Sequence, residues 1–203
     1  MAWAYNRLCA GEFSNSVQIA TEGVVTAIHL IEDREELSEA WKLVGDGAYL
    51  ASLVQVEGSE QLLQILLEGL FANESDGVNG TDLEDVQGTI GGEEGSCRFK
   101  LLRCNIAAME KMVAMTTGDR LSHSAALFNL GLAKYRLEMA SPSDLTKLGV
   151  RPILQCFKEA IQSEPRNFEY WNALGVVTAT HFPNVAEKAF SRSLQINERV
   201  FPT

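Results

Sequence analysis

The residues of this chain that could do chemistry are few, and their spacing argues against most of it. His29, His123 and His181 are the three histidines. None falls in an HExxH run or at another spacing that would bring two imidazoles to one metal ion. Each is expected to be solvated or hydrogen-bonded, with His181 at an inter-helix turn, His123 near a helix start and His29 beside an apolar face at Leu30 and Ile31. The four cysteines, Cys9, Cys97, Cys104 and Cys156, are scattered. The closest two, Cys97 and Cys104, lack the zinc-ligand CxxC spacing, so four reduced, mostly buried thiols are expected. Gly88-Thr-Ile-Gly91-Gly92-Glu-Glu-Gly95 has the glycine content of a phosphate cradle. It lacks the Gly-Lys-Ser/Thr ending, and Glu93 and Glu94 would repel a phosphate. The carboxylate pairs Glu35-Glu36 and Glu93-Glu94 are adjacent in sequence, and neighbours on a helix point apart, which disfavours a shared acid–base site. No G-x-S-x-G is present, and the stretch from Gln61 to Met115 offers no set of nucleophile, base or metal ligands. The reading is a non-catalytic chain with no cofactor, metal or small-molecule site.

The informative pattern is one of packing. Trp171, Leu174 and Gly175 fall at i, i+3 and i+4, on one face of a helix. Phe157 and Ala160 lie on the helix before, with Pro165 in the turn between. An aromatic, a leucine and a glycine on one helix, with Ala and Phe on its neighbour, is the signature of the tetratricopeptide repeat. Leu127, Leu130 and Gly131 repeat the relation, followed by a second helix from about Pro152 through Ile153, Phe157, Ala160 and Ile161. A loop over Ser141 to Gly149 is longer than the repeat normally has. It accounts for the 44-residue offset between Leu127 and Trp171. The next unit opens at Asn167 as N-cap, with Glu169 in its first turn. Its turn is Phe182-Pro183-Asn184, and its second helix carries Ala186, Phe190, Ser193 and Leu194. Trp41, Val44, Gly45 and Ala48 form a degenerate upstream unit, preceded by a helix over Gly23 to Ile31. An apolar helix over Gln61 to Phe71 follows. Phe99 to Met115 reads as the displaced second helix of the Trp41 unit.

These elements predict an all-α fold, a tetratricopeptide-type solenoid of antiparallel helix pairs. The expected organisation is a degenerate helical region over 1–72, a disordered acidic Gly-rich loop over 73–96, and repeats over 97–203 that are open at the C-terminal end. One hairpin cannot bury its apolar face alone, so stacked neighbours share a core. Gly131 and Gly175 are expected to let paired helices approach closely. Trp41, Trp171, Phe157, Phe190, Leu130 and Leu174 are assigned to the core rather than to ligand-stacking surfaces. Gly175→Leu is expected to overpack its contact by about 1–3 kcal/mol.

Bulk composition narrows the partners. The 203 residues carry a net charge of −10, with 17 basic against 27 acidic residues, which leaves no basic stripe for a nucleic-acid backbone. At 46% hydrophobic, the chain can bury a core. No apolar run approaches about 18 residues, so no membrane span is expected, and Met1 to Arg7 do not make a signal peptide. The sequons at Asn73 and Asn79 are read as chance. The first-helix stretches Leu127–Leu132 and Trp171–Val176 hold Asn129 and Asn172 without the basic residues of a carboxylate clamp, which disfavours a chaperone-tail receptor.

Glu169-Tyr-Trp-Asn-Ala-Leu-Gly-Val-Val177, followed by Val185-Ala-x-x-Ala-Phe-x-x-Ser193-Leu, resembles the scaffold subunit of the superkiller complex. Glu39-Ala-Trp-Lys-Leu-Val-Gly-Asp46 is similar to that family's Trp-Lys-x-x-Gly-Asp helix. Asn129-Leu-Gly131 with Tyr135, and then Cys156-Phe-Lys-Glu-Ala-Ile161, follow in the same order. The likeness runs from about Val25 to Val200, leaving the acidic loop and the first twenty residues unmatched, and its wording is closer to fungal than to animal members. The resemblance implies a non-catalytic scaffold that binds a DExH-box RNA helicase and WD-repeat propeller subunits and serves cytoplasmic 3′-to-5′ mRNA decay by the exosome. It implies a cytoplasmic location, with a nuclear pool allowed. Family members are far longer than this chain, so a fragment or truncated reading frame is expected. The alternative reading is a generic tetratricopeptide adaptor that binds a partner peptide. Either way the resemblance carries over repeat positions and no partner-contact residues.

Overall fold

In the computed structural model of this chain, the structure describes residues 6–7, 9–33, 37–54, 57–69, 97–140 and 149–200. Among the described residues regular structure is entirely helical, in eight long helices. These are α1 (Phe13–Asp33), α2 (Ser38–Ser52), α3 (Glu57–Gly69), α4 (Cys97–Met115), α5 (Arg120–Ala140), α6 (Val150–Ser163), α7 (Phe168–Thr178) and α8 (Pro183–Val200). The all-α, helix-pair architecture read from the sequence is present. The helices divide into two compact units, Met1–Met115 and Thr116–Thr203. The boundary therefore falls after α4, which packs in the first unit, and not at 96/97. The acidic stretch 73–96, with its Gly88–Gly95 segment and both sequons, lies outside the described residues, as do residues 141–148 of the long loop, the Glu35-Glu36 pair and Phe201 to Thr203.

The first unit is built around α2, whose Ala40, Trp41, Val44, Gly45, Gly47, Ala48, Leu50, Ala51 and Ser52 are buried. A helix that is small and apolar nearly all round must be surrounded by others, and α1, α3 and α4 surround it. Ala20 of α1 packs on Leu50 of α2, so the two run antiparallel. On the other side, a Cβ added at Gly45 would lie 2.3 Å from Met109 Cε and 3.1 Å from Asn105 Nδ2 of α4. That contact confirms α4 as the displaced partner of the Trp41 helix. Ser59 of α3 donates to the carbonyls of Val54 (2.6 Å) and Ala51 (3.2 Å), tying α3 to the end of α2. The helix read over Gly23 to Ile31 begins ten residues earlier, at Phe13. Its buried stripe is Val24, Ala27, Ile28 and Ile31 at helical spacing, so Leu30 (43% exposed) and His29 are turned outward. His29 faces Glu32 at 3.3 Å instead of an apolar neighbour.

Asn105 is fully buried in this unit and donates from Nδ2 to the Gly45 carbonyl at 2.8 Å. Its Oδ1 and the Trp41 Nε1 are buried without a hydrogen-bond partner. A polar contact in an otherwise apolar seam fixes one sliding position of α4 on α2, because shifting it would strand the amide. Asn105→Ala is expected to destabilise the first unit by about 1–3 kcal/mol through the lost bond and the cavity left behind. A urea midpoint unchanged by the substitution would remove that role.

In the second unit α5 and α6 form one antiparallel hairpin, and α7 and α8 form another. Arg120 at the start of α5 reaches Ser163 at the end of α6, and Glu138 near the end of α5 lies against Gly149 at the start of α6. Likewise Ser193 Oγ late in α8 donates to the Phe168 carbonyl at the start of α7 at 2.9 Å. Pro152 occupies the first turn of α6, where its missing N–H leaves no hydrogen bond unmade. Cys104 and Cys156 are buried, whereas Cys97 is half-buried and Cys9 exposed, so two of the four free thiols lie in the core and not most of them. Burial pushes the Cys104 thiol up to about 12. No helix among the described residues is long and apolar enough to cross a membrane.

Candidate functional site

The repeat positions of the second unit are held by caps and by interlocking side chains. Asp119 caps α5, its carboxylate accepting from the Leu121 N–H at 3.3 Å, the Ser122 N–H at 3.1 Å and the Ser122 hydroxyl. Those donors, the Ser122 hydroxyl first, hold the Asp119 carboxyl below its ordinary value. A depressed folded-state pKa contributes stability above the unfolded pKa of about 3.9, and that contribution is lost as pH falls through the folded value. Asp119→Ala is therefore expected to lower the melting temperature at neutral pH, with the gap to the parent closing as the pH drops below the carboxylate range. A pH-independent gap would contradict the cap. Asn167 caps α7 by accepting from the Glu169 N–H at 3.1 Å, as its sequence position predicted.

Each hairpin is then closed by a ring filling a glycine notch. In the first, a Cβ at Gly131 would lie 2.9 Å from Phe157 Cε1 and 3.2 Å from Cys156 Cβ. In the second, a Cβ at Gly175 would lie 2.6 Å from Phe190 Cε1. In the first unit Gly45 is a notch of the same kind, filled by the Met109 methyl and the Asn105 amide instead of a ring. Val44, Phe157 and Ala160 are fully buried, and Trp41, Leu127, Leu130, Leu174 and Ala186 nearly so. Pro165 is exposed in the α6–α7 turn.

Two assigned core aromatics are placed differently. Trp171 is half-buried, with Nε1 donating to the Pro165 carbonyl at 3.0 Å, and Phe190 is half-buried over Gly175. The buried aromatic of α7 is Tyr170, 4% exposed. Its ring lies 4.7 Å from that of Phe128, which is 5.8 Å from Phe157, and its hydroxyl is 3.4 Å from Ser124 Oγ. Burial raises the phenol pKa, with the Ser124 hydroxyl acting the other way. Tyr170 meets the first hairpin, and Leu174 and Val177, at i+4 and i+7 from it, are buried as it is. That stripe is as regular as the Trp171–Leu174–Gly175 stripe and was available to sequence reading. Leu194, placed on the second helix by its pattern, is 62% exposed.

What remains on the surface of α7 is a stripe of Glu169, Asn172 and Val176, the last 47% exposed. On α5 the equivalents of Asn172 and Val176 are Phe128 and Leu132, both half-buried, with half-buried Asn129 beside them. These side chains offer amide hydrogen bonds and apolar contact. A surface cleft of about 600 Å³ lies at the α6–α7 connection, lined by Arg120 and by residues from Ser163 to Phe168. The Arg120 guanidinium is engaged there, donating to the Ser163 carbonyl at the C-terminal end of α6, where a cation is favoured. His181 lies in the α7–α8 turn with a buried, unpartnered Nε2. His123 Nδ1 is 3.3 Å from Thr116 Oγ1. Among the described residues no group of His, Cys, Asp or Glu is gathered to hold a metal ion.

No protein-family model matches the chain, and no curated protein sequence does. Among solved structures, a MamA RS-1 ArsTM double mutant is similar at 14% identity over 100% of this chain and 94% of that one, with a TM-score of 0.44. A crystal structure of MamA is similar at 12% identity over 98% of this chain and 96% of that one, with a TM-score of 0.42.

Proposed function

We propose that the chain is a non-catalytic helical-repeat scaffold that works through protein–protein contacts, as a segment of a superkiller-type assembly in cytoplasmic 3′-to-5′ mRNA decay. The observation that supports scaffolding is the glycine-notch pairing in successive helix pairs, at Gly45, Gly131 and Gly175. Helices locked this way form a rigid support whose outward side chains are free to be read by other proteins. The finer assignment comes from the resemblance carried by Glu169–Val177 and Glu39–Asp46. Its partners would be a DExH-box RNA helicase and WD-repeat propeller subunits, with no direct hold on RNA, and its place of work the cytoplasm with a nuclear pool. The test is affinity purification of the tagged protein from its own cells at endogenous level. Co-purification of a helicase and a propeller protein supports the reading, and their absence overturns it.

A second reading, a peptide-binding adaptor, is favoured by the exposed Asn172 and Val176 on one face of α7. Amide side chains on such a face bind the backbone of an extended segment, and an exposed valine contacts its side chains. An isolated partner peptide that binds saturably, and is lost on Asn172→Ala, would select this reading over the scaffold.

A further inference from the structure

The acidic balance of the whole chain conceals a segregation of charge. Met1–Met115 holds 7 of the 17 basic residues and 19 of the 27 acidic ones, and Thr116–Thr203 holds the other 10 and 8. The second unit is therefore slightly positive in an acidic chain. Part of that excess is gathered on α6, whose buried side is Ile153, Cys156, Phe157, Ala160 and Ile161. Its exposed side is Arg151, Gln155, Lys158 and Gln162, at i, i+4, i+7 and i+11 on one stripe. No carboxylate interrupts that stripe, and Glu159 beside it is half-buried and accepts from Gln155 Nε2. Neither Arg151 nor Lys158 has an acidic residue three or four positions away, whereas Lys42 in the first unit is paired with Asp46 at 2.8 Å. Past the end of α6 the stripe runs into the cleft at the α6–α7 connection, lined by Arg120 and exposed Arg166 beside Pro165 and Phe168. The carboxylate of that lining, Glu164, accepts from Asn167 Nδ2 at 3.5 Å. A solvated helix face ordinarily mixes both signs, and a stripe of one sign that ends in a cleft is complementary to an anionic partner.

We propose that the exposed stripe of α6 and the cleft at its end form a docking surface for an extended acidic segment of a partner protein. The spacing selects the occupant. Seven helical residues place Lys158 about 10 Å along α6 from Arg151, and three residues of extended chain span about the same length. Carboxylates at every third position of the segment therefore fall in step with the cations. Gln155 and Gln162 stand between them and offer amide groups to the segment's backbone. At the far end the Arg166 guanidinium takes a carboxylate through two hydrogen bonds, and Pro165 and Phe168 give an apolar neighbour a contact. A nucleic-acid strand fits less well. Its phosphates recur about every 3.4 Å of duplex axis per strand, and the stripe carries no aromatic ring for a base to stack on. The surface lies on α6, apart from Asn172 and Val176 of α7, and goes beyond the adaptor reading. It is also independent of the RNA-decay assignment, whose failure in co-purification would leave the docking experiment unaffected.

The experiment is fluorescence anisotropy of the full chain with a labelled peptide of repeated Glu-Ser-Ser. Saturable binding is expected, weakened by added salt and by about five-fold or more on Lys158→Glu, with a further loss when Arg166→Glu is added. Arg98→Glu, an equal change of charge at an exposed residue of the first unit, is expected to leave binding unchanged. A peptide of the same composition with its glutamates contiguous is expected to bind more weakly. Lys158, Arg166 and Arg98 are all exposed, so circular dichroism should show every variant folded. The absence of saturation up to about 1 mM, an equal loss on Arg98→Glu, or equal binding of the contiguous peptide would overturn the proposal. So would an oligouridylate that binds more tightly than the peptide and is lost on Lys158→Glu, since a nucleic acid would then be the occupant.

Discussion

Replacing Phe157 with alanine is expected to destabilise the second unit by about 3–5 kcal/mol. Phe157 is fully buried, lies in the notch at Gly131 and passes packing on to Phe128 and so to Tyr170. Its removal opens a cavity at the point where the α5–α6 hairpin meets α7, and the glycine opposite has no side chain to fill it. A loss of that size is comparable to the whole stability of a small domain. Urea unfolding should therefore show the second unit largely lost, with the Asn105-pinned first unit retained. Phe157→Leu is expected to keep much of the stability, because it restores apolar volume. A loss below about 1 kcal/mol for Phe157→Ala would mean that the site collapses around the gap.

The second large effect is expected at the glycine itself. Gly131→Leu should cost about 3 kcal/mol, at the upper end of overpacking penalties. A gain of about 1 kcal/mol in helix propensity over glycine only partly offsets this. Gly175→Leu should cost less, about 1 kcal/mol, although the nearest ring atom is closer there, at 2.6 Å against 2.9 Å. What decides between them is where the ring can go. Phe157 is enclosed on all sides, whereas Phe190 is half-buried and can turn toward solvent. At Gly45 the closest atom is the flexible Met109 methyl, so substitution there should also be mild unless it disturbs the Asn105 bond. Thermal melts of the Gly131 and Gly175 variants are expected to rank in this order. A ranking that follows distance alone would show that ring mobility does not matter.

The parts of the fold legible in the sequence are those set by short-range geometry. The glycine, leucine and aromatic spacings in α5, α7 and α8 depend on a single helix period, and so do the Asn167 cap and the Pro165 turn. The pairing of α2 with α4 was also legible, despite the long intervening stretch, because Gly45 repeats the motif. Less legible was the choice between competing stripes on one helix. Tyr170 and Trp171 are neighbours, either could face inward, and only the position of Phe128 and Ser124 on another helix settles it. The same holds for Leu30, His29 and Leu194, whose burial depends on neighbours and not on their own segment. Asn105 was missed altogether. A lone asparagine in an apolar helix gives no sign that it bonds a backbone carbonyl sixty residues away.

The contrasting settings of Trp41 and Trp171 give each unit its own optical reporter. The Trp41 indole is 6% exposed with Nε1 unpartnered, while the Trp171 indole is half-open to solvent and bonded to a carbonyl. Emission from the first should lie toward the blue and resist iodide quenching, and emission from the second should lie toward the red and be quenched. In a Trp3→Phe background, the melting of each unit can then be followed by colour in a single denaturant titration, without cutting the chain.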